Sequence, residues 1–393
     1  MRFEFTPDQV AWRDEIRNFV KENLTPEILE EQRTGDPVLK GPLARAFLKK
    51  VEEKGWIGIG WPEEYGGMGQ TWVKQLIFLE EFRYAGAPMI GMTLTSLAPT
   101  IMRVGSEEMK KEWIPRIVRG EVEMALGYSE PEAGSDLANL KTKAVAEGDE
   151  WVITGQKIWN SEAHRATHEF LACRTDPTAP KHKGISIILV PIHHPGVTIR
   201  PIYTWGDVRT NQIFFDDVRV PRGNLVGQLN QGWTYAMTAL NLERFDIGII
   251  ADVRRLLEEL VLFLKGTAID GQVLAKDPVI RRSVAELHME AEACRLLCYA
   301  AAWMLDVNQF PVQEMLMTKV LGSELKAKVG DVGTQILDLY GQLRQGSHRV
   351  PLHGALERIY RIAPFWRFGG GTNEIMRDIV AQRGLDLPRE RAR

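Results

Sequence analysis

A chain of 393 residues, 44% apolar and 26% charged, has the make-up of an ordinary globular protein with room for two or three structural units. Its formal net charge of −3, without a long basic run, argues against nucleic acid as a partner, and no apolar run nears the ~18 residues of a membrane span. Charges at Arg2, Glu4, Asp8, Arg13, Asp14, Glu15 and Arg17 leave no apolar leader core, and three sparse cysteines (Cys173, Cys294, Cys298) fit a reducing, cytoplasmic compartment.

Residues 1–120 carry helical periodicity. In "TPDQVAWRDEIRNFVKENL" Thr6 stands as an N-cap, Pro7 fits the first helical position, and Val10, Ile16, Phe19 and Val20 recur at helical spacing. "PLARAFLKKVEEKG" and "WVKQLIFLEEFRYAG" repeat the pattern, and each stops at glycine. The period changes over residues 121–229. "KAVAEGDEWVITGQKIW" predicts two strands joined at Glu147-Gly148-Asp149-Glu150. "EFLACRT", "GISIILVPI", "VTIRPI" and "NQIFFDDVRVP" predict further strands, at the spacing of a small barrel or sandwich. From Gly232 to about Leu385 the text is helical again, in long amphipathic segments with short breaks, as an antiparallel bundle requires. The expected architecture is α+β: an N-terminal helical domain (1–120), a central small β domain (121–229) and a C-terminal helical bundle (230–393).

The usual nucleotide signatures are missing. No Gly-Lys dipeptide occurs, which excludes a Walker A loop, and Gly369-Gly370-Gly371 does not follow a strand in a βαβ unit, which excludes a Rossmann fingerprint. Cys294 and Cys298 lie four apart with no His or Asp cluster beside them, so they read as core thiols rather than metal ligands. Four other stretches could carry chemistry. In "ALGYSEPEAGSDLANL" (125–140) Pro131 and Gly134 force a turn, and Ser129, Ser135 and the amides around Gly134 can present donors to an anion or a polar ring edge. A capped strand exit is the plainer reading. In "ITGQKIWNSEA" (153–163) Trp159 could stack on a flat heteroaromatic ring with Ser161 bonding its edge; the alternative is a core tryptophan, one of 11. In "NLERFDIG" (241–248) Glu243 and Arg244 could be a surface ion pair, or Glu243 could be a general base beside a pocket. In "FGGGTNEIMRD" (368–378) three glycines form a loop without side chains ahead of helical text.

In this order, the stretches resemble the acyl-CoA dehydrogenase family over nearly the whole chain. "YSEPEAGSD" is similar to that family's (T/S)EPxAGSD segment, "GQKIWNS" to its GxKxWIT segment, and "FGGGTNEIMRDIVAQRGLDLPR" to its C-terminal (E/G)GTxEIQRxII signature; "GWPEEYGG" fits the N-terminal part. The resemblance implies an α-domain, a β-domain, a four-helix bundle, and FAD as cofactor. By position it implies that Leu126, Gly127, Tyr128 and Ser129 line the flavin, with Ser129 near N5. Trp159 would cover the face away from substrate and Ser161 would bond the ring. Gly134 and Ser135 would lie near the ribityl-phosphate arm and the pantetheine, and Thr372 and Glu374 would hold the FAD arm. Many family members place a catalytic glutamate where this chain has Gly370. The family's second solution, a glutamate on a bundle helix, matches Glu243, with Asn241 and Arg244 contacting the CoA arm or steadying the base. Gly370 keeps its N–H, which the resemblance makes a donor, with a ribityl hydroxyl, to the thioester carbonyl. The implied activity is α,β-dehydrogenation of an acyl-CoA. Glu243 takes the proton next to the thioester carbonyl, hydride goes to flavin N5, and an electron-transfer flavoprotein or similar acceptor takes the electrons. An acyl-CoA oxidase or enoyl-CoA reductase on the same fold, and a non-catalytic scaffold subunit, are the alternatives. The acyl group is left open.

Two family features are absent. Thr267 and Asp270 stand where the family has an Arg-x-x-Phe segment that holds the FAD pyrophosphate of a neighbouring subunit. "LDLYGQL" (337–343) keeps only Gly341 of a Gln-x-x-Gly-Gly segment that touches the same FAD. The C-terminal helices are apolar over faces wider than one bundle core needs, so a dimer or tetramer is expected. Either Arg281, Arg282 or Lys265 substitutes in a homo-oligomer, or a paralogous subunit completes a heterotetramer. Some actinobacterial relatives acting on sterol side chains are built of two unlike subunits, and "FGGGTNEIMRD" and "SEPEAGSDLANL" resemble their catalytic partner.

Overall fold

A computed structural model describes residues 4–34, 41–88, 91–244, 247–269 and 271–388; the side chains at 34, 241–244 and 269 lie outside that description. Helices α1 (Pro7–Asn23), α2 (Pro26–Thr34), α3 (Pro42–Glu53), α4 (Trp72–Ala85), α5 (Ala98–Val104) and α6 (Glu107–Val118) come first. Strands β1 (Met124–Gly127), β2 (Lys143–Glu147), β3 (Glu150–Ile158), β4 (His168–Arg174), β5 (Ile185–Pro191), β6 (Val197–Tyr203), β7 (Arg209–Pro221) and β8 (Leu225–Val226) follow. Helices α7 (Gly232–Arg244) and α8 (Gly248–Gly266) lead into a small hairpin, β9 (Ala268–Ile269) and β10 (Gln272–Val273). The chain then closes with α9 (Pro278–Asp306), α10 (Val312–Ile336), α11 (Ala355–Phe368) and α12 (Asn373–Gly384).

The local signals act as their chemistry dictates. Gln9 N donates to the Thr6 hydroxyl while Thr6 N donates to the Gln9 side chain, a closed capping box at the start of α1. Helix α4 stops on Gly86 at φ +77, and α3 stops just ahead of Gly55 at φ +73, left-handed positions that glycine fills at least cost.

The chain forms two compact units. One comprises Gln32–Gly69 and Ile90–Glu243. Its strands make one eight-stranded sheet in the order β6-β7-β3-β2-β4-β5-β8, with β1 added in parallel to β4. The six strands expected from the sequence are present. β1 and β8, four and two residues long, are too short to show alternation. Strand β4 is buried on both faces. Phe170 and Ala172 join a core with Trp113, Ile114 and Ile117 of α6 and Ala236, Ala239 and Leu240 of α7. Leu171 and Cys173 join a second core with Trp151, Ile153, Ile188, Ile213 and Phe215.

The other unit comprises Met1–Glu31, Gln70–Met89 and Arg244–Arg393. Here α10 packs against α8, α9, α11 and α12, while α4 packs against α1, α8 and α9. A buried carboxylate ties the early helices to the late ones. Glu80, 4% exposed, accepts from Arg254 Nη1 (2.6 Å), Arg295 Nη2 (3.1 Å) and the Tyr299 hydroxyl (2.6 Å). Burial and the Glu80 charge hold the Tyr299 phenol well above its ordinary range.

Candidate active site

The residues singled out around 126–129 and 159–161 meet at the ends of two strands that do not pair. β1 pairs with β4, whereas β3 pairs with β2 and β7. Three hydrogen bonds cross between their exits. Ile158 N donates to Ser129 O (2.9 Å), Lys157 Nζ to Tyr128 O (2.9 Å), and Asn160 Nδ2 to Leu126 O (2.6 Å). The two segments are thus held side by side, with Ser129 next to the strand end that carries Trp159. Lys157 and Asn160 are buried, at 0% and 1% exposure, so the bonds form in a low-dielectric setting where they are strong.

Trp159 is the opposite of a core tryptophan. It is 57% exposed and takes a left-handed backbone (φ +68), which costs a β-carbon-bearing residue roughly 1–2 kcal/mol. Its neighbours hold it there: Asn160 N donates to Asn211 O (3.1 Å), and Asn211 Nδ2 donates to Asn160 O (2.7 Å). Ser129 and Ser161 are half-buried. The turn beyond Ser129 closes through paired bonds between Glu130 and Ala133, each N–H donating to the other's carbonyl at 3.0 Å. Gly134 and Ser135 then stand exposed, and a Cβ added at Gly134 would meet nothing within 4 Å.

Beneath these exits runs a buried polar network. Lys157 Nζ donates to Glu130 Oε1 (2.8 Å), and Glu130 also accepts from Lys141 N (2.6 Å) and Thr142 N (2.9 Å). Burial pushes the Glu130 carboxyl up, but the Lys157 charge and these bonds outweigh it and leave it below the usual range. Asn160 Nδ2 also donates to Glu169 Oε1. A Cβ at Gly127 would sit 2.6 Å from that oxygen, so only glycine fits there. Burial pushes the Glu169 carboxyl up to about 8, with Lys157 and Asn160 pulling partly back.

The folded state therefore holds a proton on Glu169 that the unfolded chain releases near the ordinary carboxyl pKa. That contribution is full below the unfolded value and is lost as pH rises through about 8. Glu169→Gln keeps the neutral shape, so it should stabilise the protein by about 4 kcal/mol at pH 8 and flatten stability between pH 5 and 8. Urea midpoints across that range check this; parallel pH profiles for the two proteins would refute it.

The remaining candidates divide as follows. Asn241, Glu243 and Arg244 lie in the last turn of α7, and their side chains lie outside the described residues. Gly370, Thr372 and Glu374 belong to the helical unit. Thr372 caps α12, its hydroxyl accepting from Ile375 N (3.1 Å), and Glu374 is exposed in that helix's first turn. Gly370 (φ +67) and Gly371 (φ +105) take conformations suited to glycine. The amides on either side of Gly370 are committed within the turn: Gly369 N donates to Phe365 O and Gly371 N to Phe368 O.

Comparison with known proteins matches this layout. Family models for the acyl-CoA dehydrogenase N-terminal, middle and C-terminal domains match residues 6–121, 125–218 and 230–385. The chain belongs to the acyl-CoA dehydrogenase family. It is 37% identical over 399 residues to acyl-CoA dehydrogenase FadE26 of Mycobacterium tuberculosis, covering 99% of each. It is 30% identical to the mitochondrial short-chain specific acyl-CoA dehydrogenase of Homo sapiens, over 86% of this chain and 81% of that one. Among solved structures it is similar to the Tcur3481-Tcur3483 steroid ACAD, with TM-score 0.90, 38% identity, and 99% and 100% of the two chains covered. The ChsE4-ChsE5 complex from Mycobacterium tuberculosis gives TM-score 0.89 and 36% identity, over 99% of this chain and 100% of that one.

The acyl-CoA dehydrogenase motifs contain residues whose part shows only in three dimensions. Lys157 and Glu130 were inside the quoted stretches but carried no assignment. One signal was available. On β3, Ile153, Gly155 and Lys157 share a parity, which aims a lysine at the same side as a core isoleucine. Glu169 likewise shares parity with Leu171 and Cys173 on β4.

Proposed function

We propose that this acyl-CoA dehydrogenase family member catalyses FAD-dependent α,β-dehydrogenation of an acyl-CoA thioester of the steroid class. The observation that carries the reading is the clamp that aligns Leu126–Ser129 with Ile158–Ser161 and presents Trp159 outward on a pinned backbone. A broad indole face, two half-buried hydroxyls, and open space at Gly134 suit the face, the edges and the arm of a flavin. When bound, FAD supplies the hydride acceptor, N5. Ser129 and Ser161 bond the ring, Trp159 covers one face, and Thr372 and Glu374 serve the arm. Glu243 removes the proton next to the thioester carbonyl, and Asn241 and Arg244 steady it or the CoA arm. The Gly370 N–H donates to the thioester oxygen as negative charge develops there. The steroid class rests on the name of one relative, the Tcur3481-Tcur3483 steroid ACAD, at 38% identity. We place the domain limits at 120/121 and 229/230, the enzyme in the cytoplasm, and an electron-transfer flavoprotein or similar protein as acceptor.

The assembly we propose is a heterotetramer with a paralogous subunit. Thr267, at a family arginine position, donates its hydroxyl back to Phe263 O (2.8 Å), and Asp270 lies outside the described residues. Two of the three substitutes are engaged in their own chain, Arg281 donating to Ala275 O (3.2 Å) and Arg282 to Glu286 (2.9 Å); the third, Lys265, is exposed. The test is expression alone and with a neighbouring paralogue, measuring FAD per chain and anaerobic bleaching by a panel of straight, branched and steroid acyl-CoAs. Full occupancy and bleaching are expected only from the pair. A colourless pair would sink the FAD reading, and a fully loaded, active homo-oligomer would replace the assembly. Rapid oxygen consumption would favour the oxidase alternative.

A further inference from the structure

The loop Gly369–Thr372 joins α11 to α12 with three glycines in succession, the composition with the most backbone freedom to lose on folding. A buried ammonium from a third helix closes it. Lys319, on α10 and 8% exposed, donates to Arg367 O (3.1 Å), Gly371 O (2.6 Å) and Asn373 Oδ1 (2.7 Å). Among the described residues, three oxygens accept from this one ammonium. Arg367 O is among the terminal carbonyls of α11, where a cation is favoured, and Asn373 is the first residue of α12. Asn373 is itself fully buried and fixed from α10. Its Nδ2 donates to Ser323 Oγ (3.0 Å) and Glu324 Oε1 (3.1 Å), and Glu324 pairs with Arg377 of α12 (2.7 Å).

We infer that Lys319 is a positioning residue for the reaction: it pins both ends of the glycine loop and so fixes where the Gly370 amide is presented. The inference rests on the proposed role of that amide. A hydrogen-bond donor acts on developing charge only if it is held close to the productive geometry, and misplacement by about 1 Å can cost 10²-fold in rate. Glycine alone cannot hold it. The family position's lack of a side chain leaves the loop's geometry to its anchors; besides the turn's own bonds from Gly369 N and Gly371 N, Lys319 touches both flanks of Gly370 within five residues of chain.

Lys319→Met keeps the stem and removes the donors. Expected results are kcat lowered at least tenfold on the best acyl-CoA of the panel, KM changed less than threefold, and FAD occupancy unchanged. Amide hydrogen exchange across residues 366–377, followed by mass spectrometry, should quicken at least tenfold in the glycine loop. Unchanged kcat or unchanged exchange in folded, flavin-loaded Lys319→Met overturns the inference. If that variant does not fold, Asn373→Ala, which removes one acceptor, is read the same way, and unchanged exchange there overturns it. Exchange needs no substrate. Failure of the wild-type protein to turn over any acyl-CoA would count against the proposed function, while the loop protection still decides the role of Lys319.

Discussion

Glu243→Gln should retain the fold and bound flavin and lose dehydrogenation by at least ~10²-fold, the lower end for removal of a general base. The amide has the shape of the carboxylate but cannot take a proton near neutral pH. The loss should therefore fall on kcat, with acyl-CoA affinity little changed. Stopped-flow bleaching of the flavin by substrate measures it directly, and an unchanged rate would show that the base lies elsewhere. A second variant locates the geometry. Gly370→Glu in the Glu243→Gln background returns a carboxylate at the position where many family members hold theirs. Gly370 sits at φ +67, a region that costs a side-chain-bearing residue ~1–2 kcal/mol, so only partial recovery is expected.

Lys157→Met should destabilise the sheet unit by ~3–5 kcal/mol, the range for removing one partner of a buried ion pair. The lysine is 0% exposed, and its loss strands the Glu130 carboxylate and leaves Tyr128 O without that donor. Lys141 N and Thr142 N still hold Glu130, so the cost should fall within that range rather than above it. Replacing both partners, as Lys157→Met with Glu130→Gln, should cost much less than the single change, because no charge is then left unpaired. Urea unfolding of the two proteins checks the order. A single variant as stable as wild type would mean the pair is neutral in the folded state.

The sequence carried the elements whose signal is local. Thr6 and Pro7 start α1 where the cap chemistry places them, and Gly86 ends α4. Strand-forming runs between turn residues marked β2 to β7, and Trp159 stands at the end of β3, as its stretch predicts. What stayed hidden depends on residues far apart in the chain. Lys157 reaches Glu130 across 27 positions, and Lys319 reaches Asn373 across 54, so no window of text shows either contact. β1 was missed for a different reason: four residues paired in parallel to β4 show no period of their own. Trp159 illustrates the limit within a motif. Its neighbours in sequence marked the strand's end, but the positive φ that turns the indole outward comes from the bonds between Asn160 and Asn211.

Glu80 has a consequence for how the protein is made. Its partners Arg254, Arg295 and Tyr299 lie 174, 215 and 219 positions further along. On the ribosome, α1 and α4 emerge with an unneutralised carboxylate and uncovered apolar faces. The intervening unit, Ile90–Glu243 with Gln32–Gly69, has all its own contacts first. At typical synthesis rates the final stretch from Arg244 takes on the order of ten seconds to appear. For that interval α4 lacks α8 and α9, the later helices that pack on it. A product that ends between Arg254 and Arg295 keeps the first of these partners and lacks the Arg295 and Tyr299 donors, so the last quarter of the message completes the neutralisation of Glu80.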